Sequence, residues 1–263
     1  MFETVILFRN HISLGDEMDI ASEYFPVHQN RAMCNCDMVI PRYSSLPYYE
    51  ELQKGLEYNG CELIQTAHQH NYIASFDYYW DVEDLTPRTW FNDLSHCHNY
   101  DGPYIVKGQT NSRKYQWNTH MFAKDRSDAM MVASNLTNDS MIGTQPLVFR
   151  QYIPLKKLGD SIGGCPFSSE YRFFFLGEKL LCSGFYWSTH DFDEPIPVPP
   201  EATDFARKCA ERLSPNTNFF VVDIAEKESG GYILIEVNCG SMSGLSECSA
   251  HELYGNLKDA LNV

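Results

Sequence analysis

The sequence predicts a mixed fold of the α/β (α+β) type. Short apolar runs at residues 5–8, 38–40 and 62–64 alternate with a helical pattern at residues 47–56. After about residue 100, apolar runs are separated by tight turns, which is typical of antiparallel hairpins. We therefore expect an α/β part first and a part with more antiparallel strands after it.

The boundaries of the first predicted helix have clear local causes. Pro47 suits a first helical turn, where the missing N–H costs nothing, and Asn59-Gly60 is a left-handed stop signal directly before the next strand. So short a connection favours compact layers. A polar, His-rich stretch at residues 95–102 then precedes an apolar run at residues 103–107, and we place a domain boundary there.

The second part of the chain continues with predicted helices and strands. Residues 123–136 have helical spacing, with Asp125 as the N-cap. The apolar runs at residues 147–153, 170–175 and 179–187 lead into a hairpin, and we expect all of them in one antiparallel sheet. Two further helices are predicted at residues 201–213 and 251–261.

The composition allows a large core and disfavours two classes of partner. With 263 residues, of which 43% are hydrophobic, the chain needs no staples in order to fold. A net charge of −15 repels nucleic acid and anionic membranes at long range. The sequence has no apolar run of about eighteen residues and starts without a basic leader. We expect a cytoplasmic protein without a membrane partner, in which the nine cysteines are reduced.

A pair of apolar runs near the C-terminus ends in acidic and amide side chains. Asp223 closes the first run, and Glu236 and Asn238 share one face of the second because they are two residues apart on a strand. A hairpin between them would set Asp223 against Glu236, and facing carboxylates repel unless a cation lies between them. Oxygen ligands of this kind favour Mg²⁺. The alternative is a solvated hairpin with incidental acids.

Basic residues concentrate at a few positions of this acidic chain. Lys107 ends a short apolar run and is followed by a polar stretch at residues 108–114 that could fold over phosphates; the alternative is an exposed lysine at a strand end. Arg150 and Arg172 alternate with aromatic residues, so each needs an anionic partner. That partner is either a phosphate bridging both arginines or, for Arg172, the carboxylate of Glu170.

Two other kinds of chemistry receive less support from the spacing of the residues. Zinc binding would draw on several histidines and cysteines, but no Cys-x-x-Cys pair is present, which favours surface or satisfied polar residues. The residues concerned are Cys34, Cys36, His68, His70, His96, Cys97 and His98. Cys239 has no evident His-Asp partner nearby in the sequence, so a thiol nucleophile is disfavoured as well.

Taken together, these residues occur in the order found in ATP-grasp domains, and the chain resembles a compact clade of that superfamily frequent in phages and bacteria. The narrower likeness lies at residues 41–47, 63–66, 86–89 and 104–108. The resemblance implies an ATP-grasp fold in which two α+β subdomains clasp the nucleotide. It implies a pre-ATP-grasp domain at residues 1–100, an N-subdomain at 101–148 and a C-subdomain at 149–263.

The resemblance also implies roles for individual residues. Asp223, Glu236 and Asn238 would hold Mg²⁺, while Lys107 and Arg172 would act on the transferred phosphoryl group. The residues implied in binding ATP are Lys107, Arg113, Lys114, Arg150, Gln151, Tyr152 and Glu170. Ser241 and Ser243 would lie near the acceptor. One departure is Gln151, since superfamily hinges commonly carry an acid there for the ribose.

The function implied is an ATP- and Mg²⁺-dependent ligase that joins a carboxylate to an amine through an acyl phosphate, on a small molecule or a peptide. An RNA ligase or end-modifying enzyme is a second hypothesis, which the acidic charge disfavours. A nucleotide-binding regulator without catalysis is a third. The location would be the cytoplasm, or the host cytoplasm for a phage protein. The acceptor and the oligomeric state stay open.

Overall fold

The computed structural model describes residues 3–9, 15–188 and 195–262. The chain divides into two compact units: unit 1 contains residues 1–73, 170–224 and 236–263, and unit 2 contains residues 74–169 and 225–235. The α-helices are α1 (Gly15–Ser22), α2 (Tyr49–Tyr58), α3 (Ala67–Ala74), α4 (Trp117–His120), α5 (Arg126–Thr137), α6 (Pro200–Leu213) and α7 (Ala250–Leu261). The strands are β1 (Thr4–Leu7), β2 (Val27–His28), β3 (Met38–Pro41), β4 (Glu62–Leu63), β5 (Thr89–Phe91), β6 (Tyr104–Gly108), β7 (Phe122–Ala123), β8 (Leu147–Gln151), β9 (Lys157–Ile162), β10 (Cys165–Ser168), β11 (Glu170–Leu176), β12 (Lys179–Phe185), β13 (Phe219–Glu226) and β14 (Tyr232–Cys239).

Unit 1 begins with a parallel sheet of order β2-β1-β3-β4. Successive side chains of β1 point to opposite faces. Val5 and Leu7 therefore join a core cluster with Leu52 and Leu56 of α2, whereas Ile6 joins a second cluster on the other face. That second cluster takes in residues of α1 and α7. The prediction of an α/β arrangement in the first part of the chain is confirmed.

The second sheet of unit 1 has the order β12-β11-β13-β14, with β11 antiparallel to β12. Phe174 of β11, Leu181 of β12 and Val221 of β13 lie in the same core cluster as Ile6 of β1. Helix α7 contributes Leu253, Tyr254 and Leu257 to this cluster. The C-terminal helix thus shares one core with the parallel sheet, within unit 1.

Unit 2 contains an antiparallel sheet of order β5-β8-β6-β7 and a two-stranded sheet of β9 and β10. Helix α5 covers the larger sheet, because Val132 and Leu136 join a cluster with Val106 of β6 and Phe149 of β8. We predicted residues 147–153 in one sheet with residues 170–175, and this prediction is wrong. An apolar run identifies a strand but not its neighbours, which are set by contacts distant in sequence.

Most helix and strand positions agree with the sequence prediction to within a few residues. Asp125 caps α5 as predicted, since its Oδ1 accepts a hydrogen bond from Asp128 N at 2.9 Å. The domain boundaries near residues 100 and 148 stay a prediction, because compactness groups the chain differently. In the described ranges, none of the helices is long and apolar enough to cross a membrane.

Candidate functional site

The predicted metal ligand Asp223 lies beside Arg172 in unit 1. Arg172 Nε donates to Asp223 Oδ1 and Arg172 Nη2 donates to Oδ2, each at 2.8 Å. Burial alone would lower the pKa of Arg172, but the charge of Asp223 and these bonds raise it overall. Asp223 is 1% exposed and Arg172 8% exposed. Arg172 therefore engages Asp223, rather than Glu170 two residues away on its own strand.

Asn238 completes a hydrogen-bonded group with this pair. Its Nδ2 donates to Asp223 Oδ2 at 3.2 Å, which leaves its amide oxygen for another partner. Glu236 lies two residues earlier on β14 and is half-buried. Two carboxylates and an amide supply oxygen donors only, and ionised carboxylate oxygens accept more than one partner each. The residues present therefore suit a hard divalent cation.

The described residues contain no group of three His, Cys, Asp or Glu side chains that could hold a metal ion. The candidate set passes this test only in part, because its third donor is the amide of Asn238 rather than an acid or an imidazole. The donor chemistry consequently favours Mg²⁺ over zinc, which prefers nitrogen and sulfur ligands. The roles of the three residues as metal ligands stay a prediction.

In unit 2, the predicted nucleotide residues Lys107 and Arg150 are both buried, at 4% and 6% exposed. Both contact the Phe76 ring, with Lys107 Nζ 5.6 Å and Arg150 Cζ 5.9 Å from its centre. The alternative of an exposed lysine at position 107 is therefore wrong. Burying cations is expensive unless their charge is balanced, so both positions suit an anionic ligand.

The guanidinium of Arg150 donates to neutral oxygens. Nη2 donates to Thr86 Oγ1 at 2.6 Å and Nε to Thr89 Oγ1 at 3.3 Å. Nη1 donates to the carbonyl oxygen of Ile235. Burial lowers the pKa of Arg150. The side chain is thus held rigidly while its positive charge is left without a carboxylate among the described residues.

Arg113 and Lys114, the predicted cover over the phosphates, lie in a different setting. Arg113 Nε and Nη2 donate to the two carboxylate oxygens of Asp139 at 2.7 and 2.6 Å. This hydrogen bonding lowers the pKa of Asp139. Lys114 begins a short 3₁₀ helix, Lys114–Gln116. The loop is therefore anchored by Arg113, whose guanidinium is engaged by protein rather than held open for a phosphate.

Gln151 and Tyr152, the predicted hinge, end strand β8. The backbone N–H of Gln151 donates to Arg88 O and that of Tyr152 to Pro103 O, both at 2.8 Å. The Tyr152 ring lies edge-on to Phe122, with centroids 5.2 Å apart. Both side chains are half-buried. A fixed backbone next to an aromatic surface suits an adenine base, although neither side chain supplies an acid for a ribose.

Sequence analysis missed a buried contact between His70 and Cys239 in unit 1. His70 Nδ1 lies 2.9 Å from Cys239 Sγ, and the imidazole stacks on Tyr49 with ring centroids 3.9 Å apart. Burial lowers the pKa of His70 to about 4 and raises that of Cys239. Both groups are therefore neutral near pH 7. A histidine does lie beside Cys239, but a thiolate nucleophile gains no support from it.

A second group that sequence analysis missed is centred on Arg42, which directly follows β3. Arg42 Nε donates to Glu17 Oε1 at 2.8 Å, and Nη2 donates to Ser243 O at 2.9 Å. Nη1 donates to Gly240 O. Arg42 therefore holds the loop that follows Asn238. The sequence signal was present as Pro41-Arg42, but no local pattern connects this position to residues some 200 positions later.

Comparison with known proteins decides the family. The family model for the ATP-grasp domain, R(2)K clade family 3, matches residues 94–257, which is more than half of the chain. The chain belongs to this ATP-grasp family. The match takes in every predicted site residue, from Lys107 to Asn238. The parallel sheet β1–β4, with Arg42 and His70, lies before it.

The ATP-grasp fold is also found among solved structures. D-cycloserine synthetase DcsG has a TM-score of 0.62 at 13% identity, covering 98% of this chain and 99% of its own. The ATP-grasp ligase PsnB, complexed with minimal precursor, Mg and ADP, has a TM-score of 0.60 at 11% identity, covering 99% and 98%. D-alanine–D-alanine ligase from Bacillus anthracis, complexed with ATP, has a TM-score of 0.55 at 13% identity, covering 100% and 92%. At such identities the likeness shows the fold. No curated protein matches the sequence.

Proposed function

We propose that this ATP-grasp protein is an ATP- and Mg²⁺-dependent ligase that joins a carboxylate to an amine through an acyl phosphate. The observation that carries the proposal is the buried group of Asp223, Arg172 and Asn238 at the end of the acidic hairpin. A binding protein without catalysis has little need for a buried arginine aimed at a metal-ligand carboxylate. Membership of the ATP-grasp family supports the same conclusion.

In unit 1, Asp223, Glu236 and Asn238 would hold the metal ion, and Mg²⁺ would supply neutralisation of phosphate charge and alignment of the reacting groups. Arg172 orients Asp223 through two charge-assisted hydrogen bonds. Its guanidinium also places a permanent positive charge beside the carboxylate. That charge would stabilise the transferred phosphoryl group, on which negative charge accumulates during the reaction.

In unit 2, Lys107 and Arg150 would bind the nucleotide phosphates, because both are buried cations whose desolvation an anion offsets. Gln151 and Tyr152 would lie against the adenine. Arg113 is a weaker candidate for a phosphate ligand than the sequence indicated, since Asp139 already takes both of its hydrogen-bonding directions. Lys114 and Glu170 keep the roles that the family resemblance implies.

The acceptor would be a small molecule or a peptide. PsnB is complexed with a precursor peptide, and this relative of the fold motivates the peptide class. An RNA acceptor is the second candidate. The charge of −15 disfavours it, because binding a phosphate backbone relies on a basic surface.

The experiment is ATP turnover with Mg²⁺ in the presence of pools of amino acids, short peptides and RNA ends, with ADP and AMP scored separately. ADP release stimulated by amino acids or peptides is the expected result. AMP formation with RNA would favour the second candidate. ATP binding without turnover in any pool would contradict the proposal and leave a nucleotide-binding regulator.

A further inference from the structure

The parallel sheet of unit 1 reverses direction between two of its strands. From β1 the chain crosses to β2 on one side, and it then returns to place β3 on the other side of β1. In open parallel sheets, the loops after the carboxyl ends of the two strands at such a switch point diverge and leave a crevice. Here the switch point lies between β1 and β3, outside the range matched by the family model.

A cavity of about 410 Å³ lies at this position. It is lined by Phe8 and Arg9 after β1, by Asn30 and Arg31 after β2, and by the loop after β3 from Tyr43 onward. Ligand sites in proteins commonly have volumes of about 300–1,000 Å³, so a small organic molecule fits. The three loops that line it all leave the same edge of the sheet.

The charge of the cavity is opposite to that of the chain. The whole molecule carries −15, yet no Asp or Glu is among the described lining residues, whereas Arg9 and Arg31 both are. Both guanidinium groups act on the Tyr43 hydroxyl: burial raises the pKa of Tyr43 and the two arginines oppose that rise. The two positive charges therefore converge on one region of the cavity.

The other lining groups complete a small recognition surface. Arg31 packs over helix α2, with its Cζ 3.6 Å from the point where Gly55 would carry a Cβ. The Ser45 hydroxyl is buried without a hydrogen-bond partner among the described residues. Leu46 and Leu52 give the cavity an apolar wall. An anionic head group with a short apolar body matches these features.

We propose that this cavity binds the anionic group, carboxylate or phosphate, of the acceptor molecule. The word acceptor rests on the proposed ligase function. The connection lies within unit 1: Tyr43 of the cavity directly follows Arg42, which holds Gly240 and Ser243 in the loop after the predicted metal ligand Asn238. Arg9 and Arg31 thereby become residues that select the acceptor.

Titration calorimetry on the full chain without ATP tests the site directly. Glutarate and glycerol 3-phosphate are the two probes, which separate a carboxylate from a phosphate as the recognised group. Arg9→Gln and Arg31→Gln should each weaken binding of the preferred probe by about tenfold or more. Arg207→Gln, on the exposed face of α6, is the matched control and should change nothing. Absence of binding by both probes, or binding unaffected in both arginine variants, would overturn the proposal.

A second readout separates this inference from the proposed function. With the acceptor found in the turnover screen, Arg31→Gln should raise the KM for the acceptor and leave the affinity for an ATP analogue unchanged. ATP turnover with an unchanged acceptor KM would overturn the site alone. Arginine-dependent probe binding in a protein that turns over no ATP would overturn the ligase function, and with it the acceptor role of the site.

Discussion

Arg172 on β11 and Asp223 on β13 form a two-point ion pair within a buried part of unit 1. Both carboxylate oxygens of Asp223 accept from the guanidinium at 2.8 Å, and Arg172 Nη1 also donates to Gly244 O at 2.7 Å. The pair thus connects two neighbouring strands and the loop after β14. It orients Asp223 before any metal ion arrives, which limits the reorganisation needed on binding.

Asp223→Asn should lower the free energy of unfolding by about 3 kcal/mol, because it leaves the Arg172 charge buried without a carboxylate. Urea unfolding measures this change. The control is Glu226→Gln on the same strand, whose ion pair with Lys156 is more exposed, so that the cost should stay below about 1 kcal/mol. Equal costs in the two variants would contradict the structural importance of the buried pair.

Lys107→Met should weaken binding of an ATP analogue by about tenfold or more, since the variant keeps the buried stem over Phe76 but removes the charge. Fluorescence titration with a labelled analogue is the measurement. Lys156→Met serves as control, because Lys156 is exposed and pairs with Glu226. An unchanged affinity in Lys107→Met would remove this residue from the phosphate site.

His70 should make stability depend on pH. Burial lowers its pKa from 6.5 to about 4, so between these values the folded protein binds fewer protons than the unfolded chain. Stability is therefore full above pH 6.5 and falls toward pH 4 by an amount on the order of 3 kcal/mol. His70→Gln should flatten this part of the profile of unfolding free energy against pH. The exposed His251→Gln should leave it in place, and an unaltered profile in His70→Gln would refute the assignment.

Gly184→Ala should lower stability, because a Cβ at Gly184 would lie 2.4 Å from the Glu247 carbonyl carbon. Overpacking against backbone typically costs about 1–3 kcal/mol. The displaced loop also carries Gly244, whose carbonyl binds Arg172. Thermal unfolding checks the effect against Gly244→Ala, where the new methyl group meets nothing within 4 Å. A Gly184→Ala variant as stable as this control would show that the loop adapts freely.

Local features of the fold could be predicted because their causes lie within a few residues. The Asp125 cap needs only the N–H of Asp128, three positions on. The hairpin of β13 and β14 follows from two apolar runs with a glycine-containing turn between them. Its backbone bonds, Lys227 N to Gly231 O and Gly240 N to Phe219 O, are both formed.

Features that join distant segments could not be predicted. Whether Arg172 pairs with Glu170 or Asp223 depends on which strand lies next to β11, and sequence periodicity does not contain that information. His70 and Cys239 are 169 positions apart, so neither signals the other. The same reason explains why β8 was assigned to the wrong sheet. The nucleotide and metal roles of the predicted residues stay predictions.

The most direct test of the account is Mg²⁺-dependent ATP turnover in Glu236→Gln compared with Glu226→Gln. Both variants remove one carboxylate from the hairpin, but only Glu236 belongs to the predicted metal set. Glu236→Gln should remain folded and lose turnover by about 100-fold or more, because its ligand field for Mg²⁺ is incomplete, while Glu226→Gln keeps normal turnover. Undiminished turnover in folded Glu236→Gln would contradict the metal assignment and the mechanism that depends on it.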